Sequence, residues 1–180
     1  MSAAIAVTWW RTVPKVLMRL FTGLSLPPEA CSPILTLIHR LRPLADLAWT
    51  PPEKLHVTTK FVGEWPEVRL SELQQALAGV APSGPVLIRI RGLHWMSSAL
   101  CAGVEMSGDL HRATDTALAA IGVPNERRAY RPHVTLARRR HPADLPLTGL
   151  DVAPFPAAAF HLYLSANGTY TKLSTYALPK

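Results

Sequence analysis

The residues that could do chemistry fall in two short stretches, Leu55-His56-Val57-Thr58-Thr59-Lys60-Phe61-Val62-Gly63 and Pro132-His133-Val134-Thr135-Leu136-Ala137-Arg138. Both contain His-Val-Thr, and both read as β-strands. Side chains alternate faces along a strand, so a His and a Thr two residues apart point the same way. Each copy therefore offers an imidazole beside a hydroxyl, with Val57 or Val134 turned to the other face. Two copies facing across a cleft would set two imidazoles and two hydroxyls around one small anion. That set suits acid–base chemistry at a phosphate. Imidazole is the group whose pKa lets one copy be neutral and another protonated near neutral pH. A lone His-x-Thr is a weak signal, since a strand histidine is ordinarily a half-buried polar residue. The repeat in matching strand contexts is what gives it weight.

The elements that must position these residues are punctuated by seventeen prolines. Val16 to Leu24, between Pro14 and Pro27, reads as a first strand. Pro27-Pro28-Glu29 suits the first turn of a helix, and Ile34, Leu35, Leu37, Ile38 and Leu41 then fall at helical spacing until Pro43. An extended segment from Trp49 leads into the first His-Val-Thr strand. Leu70, Leu73, Leu77 and Val80 predict a helix over Glu67 to Gly79. Val86, Ile88 and Ile90 alternate with Leu87, Arg89 and Arg91, a strand with one basic face. Ala99 to Met106 is a further strand, followed by a helix with Leu110, Ala113, Ala117, Leu118 and Ile121 as its stripe and Gly122 as its stop. The second motif strand spans Tyr130 to Arg138. A Pro-rich connection from His141 to Pro156 leads to a closing hairpin with its turn at Asn167-Gly168. Helices and strands mix without strict alternation, so the fold class expected is α+β.

At 180 residues the chain suits one ordinary domain or two small lobes sharing a core. Apolar residues at 48% and charged residues at 17% indicate a globular protein. The formal charge of +7 favours a polyanionic partner such as RNA. More telling is that Arg127, Arg128, Arg131, Arg138, Arg139 and Arg140 flank the second motif. Cys31 and Cys101 read as reduced core thiols of a cytosolic protein. No apolar run reaches membrane-spanning length, and the first seventeen residues lack the pattern of a secretion signal. They read as an extension outside the core, which would then begin at Met18.

Met18-Arg19-Leu20-Phe21-Thr22-Gly23-Leu24 with Pro27-Pro28-Glu29, then the two motif strands, then Leu164-Ser165 through Tyr170 to Leu178-Pro179 resemble the RNA 2′,3′-cyclic phosphodiesterases. These are the so-called 2′-5′ RNA ligases of the two-histidine phosphoesterase superfamily. The resemblance covers Met18 to Lys180 in order. It implies a single bilobal domain over 18–180: two pseudo-symmetric lobes of mostly antiparallel sheet, with outer helices, around a central cleft. It also implies metal- and cofactor-free hydrolysis of 2′,3′-cyclic phosphate RNA ends to 2′-phosphomonoesters, with reversible 2′-5′ ligation as a second reaction. By the same resemblance His56 is the proton donor and His133 the proton acceptor, while Thr58 and Thr135 bind phosphate oxygens. The sequence departs from the family at Thr59, where Leu is common, and matches loosely from Trp95 to Ala102. A cytoplasmic monomer acting on RNA, without a membrane, is the expectation.

Further substrate contacts are candidates from face and position. Arg138 follows the second motif, yet strict alternation puts it opposite His133 unless a bulge intervenes. Arg131 and Lys60 share the faces of His133 and His56. Phe21, Trp49 and Tyr130 could stack on a terminal base, with core packing the stronger reading for Phe21. His39, His94, His111, His141 and His161 lack a paired context. The alternatives are a 2′,5′- or nucleotide cyclic phosphodiesterase of the same superfamily, and a non-catalytic RNA-end-binding module. A binder has no need of titrating groups, so the paired histidines favour an enzyme.

Overall fold

The computed structural model of the chain describes residues 16–139, 144–147 and 149–180. Most of the expected N-terminal extension, with Arg140 and His141, lies outside the described residues. Leu17 already belongs to the first strand, and Val16 accepts a backbone hydrogen bond from Glu67.

The elements run β1 (Leu17–Ser25), α1 (Pro28–Leu41), a two-residue β2 (Ala48–Trp49), β3 (His56–Pro66), α2 (Leu70–Ala78), β4 (Leu87–Met96), β5 (Ala99–Met106), α3 (Leu110–Ala119), β6 (His133–Arg138), β7 (Asp151–Pro156), β8 (Ala159–Ala166) and β9 (Thr169–Ala177). Strands β1 and β3–β9 form one sheet in the order β7-β4-β5-β6-β3-β1-β8-β9, with β2 paired to β6. Every pairing among the described residues is antiparallel. The class is α+β, as the mixed element order predicts.

The sheet divides at its middle. On one side stand β3-β1-β8-β9, on the other β6-β5-β4-β7, and β3 meets β6 at the single pair Val57↔Val134. A strand–helix–strand unit recurs in both halves, β1-α1-β3 and β5-α3-β6. The helices are exchanged: α1 packs against β7 of the second half, and α3 packs against β3 of the first. Apolar stripes dictate this packing. Ala30, Ile34, Leu37, Ile38 and Leu41 are the buried face of α1, while Leu110, Thr114 and Leu118 are that of α3. Val57, Val134 and Leu136 meet these helices in one continuous core.

Two expectations change. The Pro-rich connection contains a strand, β7, whose Val152 and Phe155 are buried. It pairs with β4 at the outer edge of the sheet, where Pro154 and Pro156 sacrifice no interior ladder bond. The basic face expected on β4 is also charge-compensated, with Arg89 paired to Asp151 and Arg91 to Glu105. The β8–β9 turn follows its sequence signature. Asn167 (φ 49°) and Gly168 (φ 71°) both take the left-handed conformation that a two-residue turn of matching twist requires.

Candidate active site

Both motif strands carry the same irregularity. The β1–β3 register shifts between Thr22↔Lys60 and Gly23↔Thr58, leaving Thr59 as an extra residue. The β5–β6 register shifts between Leu100↔Ala137 and Cys101↔Thr135, leaving Leu136 as the extra residue. Each is a β-bulge three residues after the histidine, and each flips the alternation beyond it. Thr59 and Lys60 are therefore buried in succession, as are Leu136 and Ala137. Beyond the bulges, Phe61 and Arg138 return to the face of the histidines.

This corrects the expectation for Lys60. Its side chain is wholly buried on the opposite face, where the ammonium pairs with Asp115 on α3 and donates to the Pro124 carbonyl at 2.8 Å. Lys60 anchors α3 beneath β3 and is not on the wall of the cavity that holds the motif histidines and threonines together. The same bulge logic resolves Arg138, which is exposed and faces the cleft because the bulge intervenes.

His56, Thr58, His133, Thr135 and Arg138 line one cavity of about 390 Å³. The antiparallel register around Val57↔Val134 sets His56 across from Thr135 and Thr58 across from His133. Each imidazole is fixed in the same way. His56 Nδ1 donates to the Lys54 carbonyl at 2.7 Å, and His133 Nδ1 donates to the Arg131 carbonyl at 2.8 Å. With Nδ1 so engaged, Nε2 is the ring nitrogen left for proton transfer in both histidines. On His56 it lies 3.0 Å from the Thr58 hydroxyl.

The two histidines differ in surroundings. His56 has the Phe21 ring at 5.0 Å and Tyr170 edge-on at 5.3 Å, with Tyr163 at 6.1 Å. Burial therefore pulls the His56 pKa below its ordinary value, helped by the neighbouring His133 and opposed by the Lys54 carbonyl. Phe21 is 4% exposed and stacks on Tyr163, 5.0 Å away and 13° from parallel. It backs His56 and also lines the same cavity, with little of its ring exposed.

The remaining candidates separate. Trp49 packs against the core and is not on the cavity wall. The Tyr130 hydroxyl donates to the Thr58 carbonyl at 2.9 Å, and its ring stacks on His111 at 3.9 Å. Arg131 is exposed and lines a second cavity of about 610 Å³, which shares Thr58, Phe61 and His133 with the first.

Sequence reasoning missed Phe61 and Tyr170. Both line the first cavity, Phe61 at 58% exposure. The doubled burial Leu136-Ala137 before Arg138 is the local signal that would have revealed the bulges, and with them Phe61. Tyr170 carries no local signal, since β8–β9 reaches the site only through β8 pairing with β1.

The family model described as LigT like phosphoesterase matches residues 24–104, which include the first motif strand and stop short of the second. An RNA 2′,3′-cyclic phosphodiesterase of Thermus thermophilus is 29% identical over 181 residues, covering 89% of this chain and 90% of the relative. A Bacillus subtilis protein of the same description is 24% identical over 182 residues, covering 92% of this chain and 100% of the relative. Among solved structures, Thermus thermophilus TT0787 superposes with a TM-score of 0.73 at 27% identity, covering 89% of this chain and 97% of the other. Escherichia coli LigT complexed with 3′-AMP shares the fold, with a TM-score of 0.74 at 23% identity over 92% of this chain and 100% of the other. Fold and paired motif strands resemble those of the two-histidine phosphoesterases. Within that class, the chain is similar to the LigT-like phosphoesterases over residues 24–104 and in its overall fold.

Proposed function

We propose that the chain hydrolyses RNA 2′,3′-cyclic phosphate ends to 2′-phosphomonoesters. The observation that carries this reading is the meeting of the two His-Val-Thr strands at Val57↔Val134, which brings one histidine and one threonine from each half into a single cavity. In-line opening of a cyclic phosphodiester needs a base on the attacking water and an acid on the departing oxygen, on opposite sides of phosphorus. One histidine from each half meets that requirement.

His133 Nε2 accepts a proton from water as its oxygen bonds to phosphorus. The bond from phosphorus to O3′ breaks, and the proton on His56 Nε2 passes to O3′, leaving the phosphate on O2′. Thr58 and Thr135 donate to the non-bridging oxygens, and Arg138 balances the charge growing there. Burial favours the neutral His56 ring in the free protein. An anionic substrate beside it draws the proton back, so the acid is charged together with binding. A 5′-hydroxyl in place of water would give a 2′-5′ linkage by the same two proton transfers.

The test is turnover of a short RNA ending in 2′,3′-cyclic phosphate, with EDTA present, by wild type, His56→Ala and His133→Ala. Each histidine is expected to contribute roughly 10²–10⁴-fold. Opening to a 2′-phosphate, lost by those factors in both variants, supports the enzyme. Salt-sensitive binding without turnover would instead make it an RNA-end-binding module.

A further inference from the structure

Some of the described arginines are charge-paired and others are not. Arg69, Arg89, Arg91 and Arg112 each have a carboxylate partner. Among the described residues, Arg128 and Arg131 have none within salt-bridge distance, and both line the 610 Å³ cavity beside the reaction site. Unpaired guanidinium groups on a concave wall are an anion site by charge. Tyr130 lies on the same wall. Its inner ring face is covered by His111, in a stack only 13° from parallel, and its hydroxyl is tied to the Thr58 carbonyl. A partly buried aromatic ring fixed at both points is a rigid platform, and rigid aromatic faces take nucleobases without sequence preference. The first cavity, near 390 Å³, suits one nucleotide-sized ligand; the second is of the same class. Because the two share Thr58, Phe61 and His133, a chain leaving the reacting phosphate passes directly from one to the other.

We propose that this second cavity binds the nucleotide preceding the cyclic phosphate end, its base on Tyr130 and its phosphodiester between Arg128 and Arg131. This rests on the phosphodiesterase reading and adds the length of substrate to it. The enzyme then discriminates between a nucleoside 2′,3′-cyclic phosphate, which fills the first cavity alone, and a dinucleotide with the same end, which fills both. Glu126, on the same wall, opposes the phosphodiester.

The experiment compares kcat/KM for a cyclic mononucleotide and a cyclic-ended dinucleotide across a salt series. Wild type is expected to favour the dinucleotide at least tenfold. Tyr130→Leu and Arg128→Ala should each reduce that ratio about tenfold, and Arg128→Ala should also flatten the salt dependence of log(kcat/KM) for the dinucleotide by about 0.7. Glu126→Gln should raise the ratio. Tyr130→Phe separates the platform from the tether: it keeps the ring, so the ratio should hold even if turnover of both substrates falls. Equal turnover of the two substrates by wild type, or a ratio unmoved by Tyr130→Leu and Arg128→Ala, overturns the second subsite while leaving the phosphodiesterase intact. Failure to open either substrate refutes the phosphodiesterase reading itself, and the subsite falls with it.

Discussion

Gly23 gives the sharpest test of how β1 positions the reacting groups. It pairs with Thr58 across β1–β3. A Cβ at this position would lie 2.9 Å from the Val57 carbonyl oxygen, 3.4 Å from His56 Cδ2 and 3.6 Å from Thr58 Cα. Ordinary carbon contacts begin near 3.5 Å, so Gly23→Ala forces about half an ångström of relief between two central strands. The carbonyl that must yield sits between His56 and Thr58 in the chain. Misplacement by about 1 Å can cost about 10²-fold in rate, and this smaller shift should cost roughly tenfold in kcat/KM. Overpacking should lower stability by about 1–3 kcal/mol. The assay is steady-state opening of a cyclic-ended RNA, alongside thermal unfolding. Gly79→Ala is the control, since its nearest new contact is an ordinary 3.5 Å at the end of α2. Activity of Gly23→Ala within twofold of wild type, with an unchanged melting temperature, would refute the close-approach argument.

Two further outcomes concern groups outside the reaction. His161 is 6% exposed, bonded to Ser25 and Thr175, and burial lowers its pKa to about 4. The unfolded chain then binds the extra proton between about pH 6.5 and 4, so stability is lost as pH falls through that window. The loss should reach about 3 kcal/mol in urea titrations, and a slope unchanged in His161→Gln would refute it. Asp115→Asn leaves the buried Lys60 ammonium without its carboxylate. It should cost about 3 kcal/mol, read as a lower denaturant midpoint; a midpoint at the wild-type value would put Lys60 outside the core.

Much of this arrangement is legible from residue patterns. The two motif strands, the three helices and the Asn167-Gly168 turn follow from alternation, helical spacing and turn chemistry. The bulges do not, because a strict period of two carries Lys60 onto the His56 face and Arg138 away from His133. One inserted residue per strand reverses both placements. Strand β7 was hidden for another reason: Pro154 and Pro156 read as breakers, and only its place at the sheet edge makes them tolerable. The aromatic wall around His56 was also beyond local reading, since Tyr163 and Tyr170 come from β8 and β9 and join Phe21 only by long-range pairing.

That last pairing has a consequence for how the protein is made. Strand β1 is translated early, yet its second neighbour, β8, is specified only after the whole of the opposing half. Until β8 emerges from the ribosome, β1 has an open edge and His56 lacks the Tyr163 and Tyr170 rings. A nascent chain ending before Ala159 would carry both histidines and still have an unfinished pocket. Activity in a synthesis time course should therefore trail the appearance of the second motif by the time needed to add the final hairpin.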